Sequence, residues 1–193
     1  AKVISVETSR AFAANAKFGG EDELDEAITG LTETISGILA KNRSELVARI
    51  EEPEARIQRL QAMLGDKGNG KKVFVSIPEQ HISRVIPDPA VETEMLLTFQ
   101  QLGFDITDDR DAADIRITGE AFSENSGRRG QLISCRSRAE IRQHDKSGEL
   151  ISVYRQTEVA IDLAENIAAK KALQKAGSVL AERVIERISK EEG

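Results

Sequence analysis

An α+β fold is predicted for residues 72–190: a two-layer sandwich, its sheet mixed or mostly antiparallel, with helices packed on one face in the order β-α-β-β-β-β-α. Three observations predict it. Residues 132–142 alternate strictly, with Ile133, Cys135, Ser137, Ala139 and Ile141 on one side and Ser134, Arg136, Arg138, Glu140 and Arg142 on the other. That is the pattern of a sheet with one dry face and one wet face. Two stretches, around 89–102 and 166–188, repeat apolar residues at helical spacing. Proline, glycine and Asp-Lys-Ser-Gly signals punctuate the chain between these runs.

Taken in order, residues 2–18 read as two short strands around Glu7-Thr8-Ser9, or as one hairpin arm. From Glu21 to about Ala40, Leu24, Ile28, Leu31, Ile35 and Leu39 form one face of a helix, and the acidic run 21–26 suits the positive end of its dipole. A second helical stretch continues to about Ile50. Pro53 opens a third, with Ile57, Leu60 and Leu64 on one side and Gly65 as its stop. Residues 65–71, rich in glycine and lysine, read as a linker. They match the first positions of a phosphate-binding loop, but Lys72 replaces the Ser or Thr that would ligate magnesium, and the segment follows a helix and opens a strand. No helix N-terminus would point at a phosphate there.

In the strand from Lys72, Val73, Val75 and Ile77 alternate with Phe74 and Ser76, and Pro78 ends it. Asp88 is expected to cap the next helix, with Pro89 in its first turn; Val91, Met95, Phe99 and Leu102 form its apolar face, and Gly103 its left-handed C-cap. A short strand at Phe104–Ile106 follows, then an alternating one over 113–121 with Ala113, Ile115, Ile117 and Ala121 inward. Residues 123–131 are expected to form an exposed hairpin tip, and 145–148 a turn. In the last strand Ile151, Val153, Val159 and Ile161 are expected to be buried. The long final helix aligns Ala169, Leu173, Ala176, Leu180, Val184 and Ile188, with a second strip of Ile167, Val179, Ala181 and Ile185; Ala172, Ala176 and Gly177 would let it approach the sheet closely.

The chain has 193 residues with a formal net charge of −6, is 39% apolar and 31% charged, and has 4% aromatics and no Trp. These values fit a globular chain and argue against aromatic cages or base-stacking platforms. They allow one domain or two small ones. The organisation predicted is 1–64 as an N-terminal hairpin plus helices, 65–71 as linker, and 72–193 as a complete α+β module. The start, AKVISVETSR, lacks the features of a signal peptide. The lone Cys135 excludes an internal disulfide, and it and the two histidines, His81 and His144, do not have the spacing of a zinc site. No metal and no cofactor is expected.

Residues 3–10 can be laid against 141–148: in both places a strand reaches an acidic residue, a short turn, a second strand and a long amphipathic helix. The 1–40 segment would then be the tail of an upstream module, unless β-turn-β-α recurs here by chance. The succession Ala90-Val91-Glu92-Thr93-Glu94, Leu102-Gly103-Phe104, Ala113-Asp114-Ile115, Ile117-Thr118-Gly119-Glu120-Ala121-Phe122, Ser147-Gly148-Glu149-Leu150 and Ala168-Ala169-Lys170-Lys171-Ala172-Leu173 resembles the CsgG-like group. That group covers curli-production and transport proteins and relatives sharing the fold of the TolB N-terminal domain. The resemblance implies a non-enzymatic bacterial envelope protein, periplasmic or on the periplasmic face of the outer membrane, that assists secretion or assembly through protein partners or as a homo-oligomer. The chain shows no lipid-attachment Cys near its start and no long amphipathic hairpins of a membrane barrel, and the resemblance leaves open an outer-membrane anchor in a preceding segment.

The candidate partner-binding residues are Arg128, Arg129, Arg136, Arg138 and Arg142, against Glu140 alone, in an otherwise acidic chain. Such a cluster suits an acidic partner, and the alternative function is a binding module for an anionic small molecule or glycan. It is equally the composition of a solvated sheet face. Nucleic acid is not expected, since no aromatic lies between Asn125 and His144. Glu92 and Glu94 sit two apart, on different faces of their helix, so no catalytic carboxylate pair is expected. His81 and His144 are expected at the surface and Cys135 as a buried inert thiol.

Overall fold

The structure, a computed structural model, describes residues 1–4, 11–17, 19–20, 24–42, 51–81, 84–85 and 88–190. They belong to two compact units, Ala1–Glu52 and Pro53–Gly193.

In the first unit, β1 (Lys2–Ile4) pairs antiparallel with β2 (Ala11–Ala13). Helix α1 (Leu24–Lys41) carries the expected apolar series, yet none of its residues is buried, and Leu24, Ile28 and Leu39 are exposed. The expected turn at 7–9, the acidic residues 21–23 and the helical stretch at 43–50 lie outside the described residues.

The second unit begins with α2 (Pro53–Leu64), which sends Leu60 and Leu64 into the main core and packs Ile57 against it. The helix therefore belongs to this unit, and the division falls between Glu52 and Pro53, not after residue 64. Gly65–Gly70 is a tight run of turns. Within it Gly68 is buried, and a Cβ there would lie 2.8 Å from Phe104 Cε2 and 2.9 Å from Leu64 Cδ2. At Gly68 this connection is packed against the core, and a side chain there would have to displace Phe104 or Leu64.

Strand β3 (Lys72–Ser76) and the short β4 (Glu79–His81) run in succession along one side of β7 (Ile115–Arg129), both parallel to it. Pro78, which has no N–H to give, breaks them apart, while its carbonyl still accepts from Ala121 N at 3.1 Å. Strand β4 and its antiparallel neighbour β5 (Arg84–Val85) add two elements to the predicted order. Helix α3 (Ala90–Gln101) leads to β6 (Asp105–Ile106), parallel to β3. Its end is a Schellman turn: Gly103 takes φ 86°, its N–H donates to Gln100 O, and Phe104 N–H donates to Phe99 O. On the other side of β7, β8 (Leu132–Asp145) and β9 (Leu150–Asp162) continue the seven-stranded sheet as antiparallel neighbours, and α4 (Glu165–Lys190) closes the fold.

The helices lie on one face, as the α+β prediction requires. Helix α4 buries Ala168, Ala169, Ala172, Leu173, Ala176, Gly177, Leu180, Ala181, Val184, Ile185 and Ile188. Both strips predicted for it contribute to the main core, while Ala169 joins a smaller cluster with Ile133 and Cys135, Val179 is half-buried and Ile167 stays exposed. A Cβ at Gly177 would lie 2.8 Å from the Val91 carbonyl oxygen, so this glycine sets how closely α4 and α3 approach. The buried Ser137 hydroxyl donates to Ala172 O at 2.9 Å, tying sheet to helix.

Three expectations are corrected. Asp88 does not cap α3: Pro89 is the N-cap and makes no side-chain cap bond, and Asp88 is held at 2.6 Å by Lys170 Nζ instead. The segment 123–129 is strand, not loop. Its polar residues pair with β8 across an irregularity between Asn125 and Gly127, leaving only Gly130 and Gln131 as the tip. In β9 the buried side is the even one: Ala160 is buried and Tyr154 packs against the core, whereas Val153, Val159 and Ile161 are exposed. A bulge is responsible. His144 pairs with Leu150 and Gln143 with Ser152, which leaves Ile151 unpaired. One extra residue moves every later side chain of a strand to the opposite face.

Gly119 faces Ile141 across the β7–β8 ladder, and a Cβ there would lie 2.1 Å from the Glu140 carbonyl oxygen. That neighbour is backbone and cannot swing aside. Gly119→Ala is expected to destabilise the second unit by about 3 kcal/mol, the upper range for overpacking, read as a fall in the thermal-unfolding midpoint; an unchanged midpoint would refute the close approach.

Candidate functional site

The face of β7, β8 and β9 turned away from the helices is the candidate site, and register builds it row by row. Residues directly opposite in antiparallel strands share a side, so the rows across the three strands are Thr118–Arg142–Val153, Glu120–Glu140–Arg155, Phe122–Arg138–Thr157 and Glu124–Arg136–Val159. Ile161, opposite Ser134, closes the series. The exposed apolar members are Phe122 (43%), Val153 (57%), Val159 (47%) and Ile161 (43%).

The charges between them are largely satisfied from within. Arg136 places Nη2 at 2.5 Å from Glu124 Oε1. Glu140 receives Arg155 Nε at 2.9 Å and Arg138 Nε at 2.8 Å on the same oxygen. Hydrogen bonds from Arg155, then from Arg138, hold the Glu140 carboxyl below the usual carboxylate range. Arg142 and Val153, with Thr118, Gly119, Glu120, Glu140 and Ile141, line a shallow concavity of about 370 Å³ on this face. The outer strand β9 is guarded as well: the carbonyls of Arg155 and Val159 accept from Arg183 and Lys175 of α4.

The five arginines singled out in the sequence are therefore not brought together as one patch. Arg136 and Arg138 are engaged by carboxylates, while Arg142 stands near one end of β8. Arg128 and Arg129 are exposed at the other end, beside the hairpin tip. Arg142 and the tip are ten residues apart along β8 (Arg142 to Leu132), roughly 33 Å at strand rise. Arg155, which completes the charge network, was hidden by assigning the odd positions of its strand to the core; an arginine and a threonine among those positions were the signal against that assignment.

A second group, legible only in three dimensions, sits at the start of α3. Glu79, buried on β4, accepts from Val91 N at 2.5 Å and supplies the cap that Pro89 lacks. In the reverse direction Glu92 Oε2 accepts from Ile77 N at 2.7 Å. Burial pushes the Glu79 carboxyl above the ordinary range, against the pull of the amides of Ala90, Val91 and Glu92. Glu79 also lines a cavity of about 250 Å³ with His81, Asp88, Ala90, Asn166, Ile167, Ala169, Lys170 and Leu173. His81 is half-buried there, its Nδ1 at 2.9 Å from Ser123 Oγ and its Nε2 at 4.0 Å from Glu165 Oε1. His144 lies on β8 opposite Leu150. Cys135 is buried, its Sγ donates to Glu165 O at 3.5 Å, and burial raises its pKa. Among the described residues no cluster of His, Cys, Asp and Glu could hold a metal ion. No described helix is long and apolar enough to cross a membrane.

No family model matches the chain and no curated protein sequence matches it. Among solved structures it is partly similar to a minor lipoprotein from Acinetobacter baumannii, at 19% identity over 62% of this chain and 90% of that one, with a TM-score of 0.42. Similarity to a lipoprotein from Neisseria meningitidis covers 59% of this chain and 97% of that one at 11% identity and a TM-score of 0.33. The PelC dodecamer from Paraburkholderia phytofirmans matches 64% of this chain and 89% of its own at 14% identity and a TM-score of 0.38.

The raised Glu79 pKa has a definite sign. A carboxyl that holds its proton more tightly when folded contributes stability that is present in full below about pH 4.5 and lost as pH rises through the folded value. Glu79→Gln keeps an oxygen for Val91 N–H and removes the buried ionisation, so its melting temperature is expected to gain on the parent's between pH 4.5 and 8. A constant difference across that range would show that Glu79 does not titrate as its burial requires. Glu79→Ala leaves the amide without an acceptor and is expected to destabilise by about 1–3 kcal/mol near pH 4.5, and by less as pH rises and the parent's carboxyl ionises.

Proposed function

We propose that the chain is a non-enzymatic component of the bacterial cell envelope, of CsgG-like kind, that assists secretion or assembly through protein–protein contacts. The observation that carries this reading is the uncovered face of the β7–β8–β9 sheet. All the helices of this unit that pack on the sheet do so on its other side, yet this face presents Phe122, Val153, Val159 and Ile161 in register with charges most of which are paired with one another. Apolar side chains interleaved with pre-paired charge suit a protein partner: the apolar groups gain from burial and the charges bring their own counter-ions.

The envelope location rests on the resemblance of the 90–94, 102–104, 113–122, 147–150 and 168–173 stretches to the CsgG-like group, and is in keeping with two of the partly similar structures being lipoproteins. Another envelope protein and a second copy of the chain both meet the description of the partner. The alternative, a site for an anionic small molecule or glycan, has less to support it, because Arg136 and Arg138 are already engaged by Glu124 and Glu140.

A photo-crosslinking residue at Val153 or Val159, in cells producing the protein, is expected to give one discrete adduct from the envelope fraction, and the same residue at the exposed Gln58 of α2 none. An adduct of twice the chain mass identifies self-association, and any other discrete mass a different partner. Absence of adducts from both face positions, or a protein found only in the cytosol, would overturn the proposal.

A further inference from the structure

The tip of the β7–β8 hairpin has a chemistry unlike that of the rest of the chain. Arg128 and Arg129 are exposed and have no ion-pair partner among the described residues. The carboxylates nearby are engaged elsewhere: Glu124 with Arg136, Asp162 with Lys171, and Glu165 with Asn125 Nδ2 at 3.1 Å. In a chain of net charge −6 the tip is a local excess of positive charge. Around it stand exposed apolar side chains. Leu132 (49%) is opposite Arg129, and Leu163 (64%) lines an open concavity with Arg128, Gly130 and Gln131.

We propose that this tip docks on the surface of an anionic phospholipid bilayer, with Arg128 and Arg129 on the phosphates and Leu132 and Leu163 entering the headgroup layer. The charge is complementary, and the layering matches: free guanidiniums lie beside apolar side chains at one end of the molecule, as head groups lie over hydrocarbon. The patch is a few side chains wide, well short of the roughly 800 Å² per partner of a stable protein interface, but enough for a reversible surface contact. The arrangement lies beyond the rows of the open sheet face, which end at Ile161 and whose Arg136, Arg138 and Arg155 are paired.

The test is co-sedimentation of the whole chain with phosphatidylcholine vesicles, with and without one-third phosphatidylglycerol, at low salt. Partitioning is expected only with phosphatidylglycerol, to fall about five-fold for each of Arg128→Ala and Arg129→Ala, and to fall also in Leu132→Ser/Leu163→Ser, with melting temperatures unchanged. Arg110→Ala, which removes a charge elsewhere, is expected to leave it close to the parent's. No phosphatidylglycerol-dependent partitioning, or losses as large for Arg110→Ala as for the tip arginines, would overturn the proposal. So would binding to soluble poly-glutamate that matches binding to vesicles and ignores the leucine variants, since the tip would then be a contact for acidic protein.

Discussion

The close seating of α4 is the constraint on which the second unit depends. Ala168, Ala169, Ala172, Ala176 and Gly177 have almost no side chain to hold the helix away, so its backbone comes near enough for Ser137 to bond the Ala172 carbonyl and for Gly177 to lie against Val91. The larger Leu173, Leu180, Val184, Ile185 and Ile188 fill the space that opens further along. Because α2 and α3 share this core, one face of the sheet is committed to packing and the other is left uncovered, which is the asymmetry a contact surface needs.

The fold is fastened at its joints by side chains reaching between elements. Glu79 and Glu92 exchange caps between the β3–β4 break and the start of α3. Asp114 accepts from the Lys72 amide at 3.0 Å and from Lys146 Nζ at 2.9 Å; these bonds, the amide's first, hold its carboxyl below the usual range. Asp145 closes its turn by accepting from the Ser147 hydroxyl and the Glu149 amide. Several of the residues that carry the CsgG-like resemblance are at such joints: Gly103 in its left-handed turn, Asp114 at a strand start, Gly119 against the Glu140 carbonyl and Ser147-Gly148 in a hairpin turn. In this chain they hold elements together, and they bear on architecture more directly than on activity.

Much of the fold was legible because it rests on local periodicity. The alternation from Ile133 to Ile141 and the apolar faces of α3 and α4 follow from side-chain geometry within one element, and the structure buries those residues apart from Ile167 and Val179 of α4. Glycine signals were equally readable: Gly65 and Gly103 end helices with positive φ. The capping of α3 was not readable, since the capping carboxylate comes from a different strand and Pro89 has no side chain with which to advertise the vacancy. The candidate site was legible in its residue types and not in its arrangement, because strand register chooses Glu124 as the partner of Arg136 and brings Arg155 to Glu140.

By itself the sequence determined the α+β class, the dry and wet sides of β8 and the faces of the main helices, because a period of 2.0 or 3.6 residues is a property of the chain's own backbone. Only the tertiary structure decided which side of β9 faces the helices. Its apolar odd positions would pack inward in an unbroken ladder, but the single unpaired residue Ile151 turns them outward and brings Tyr154 and Ala160 in. A bulge is defined by two strands together, and that one shift made Val153, Val159 and Ile161 a surface rather than a core.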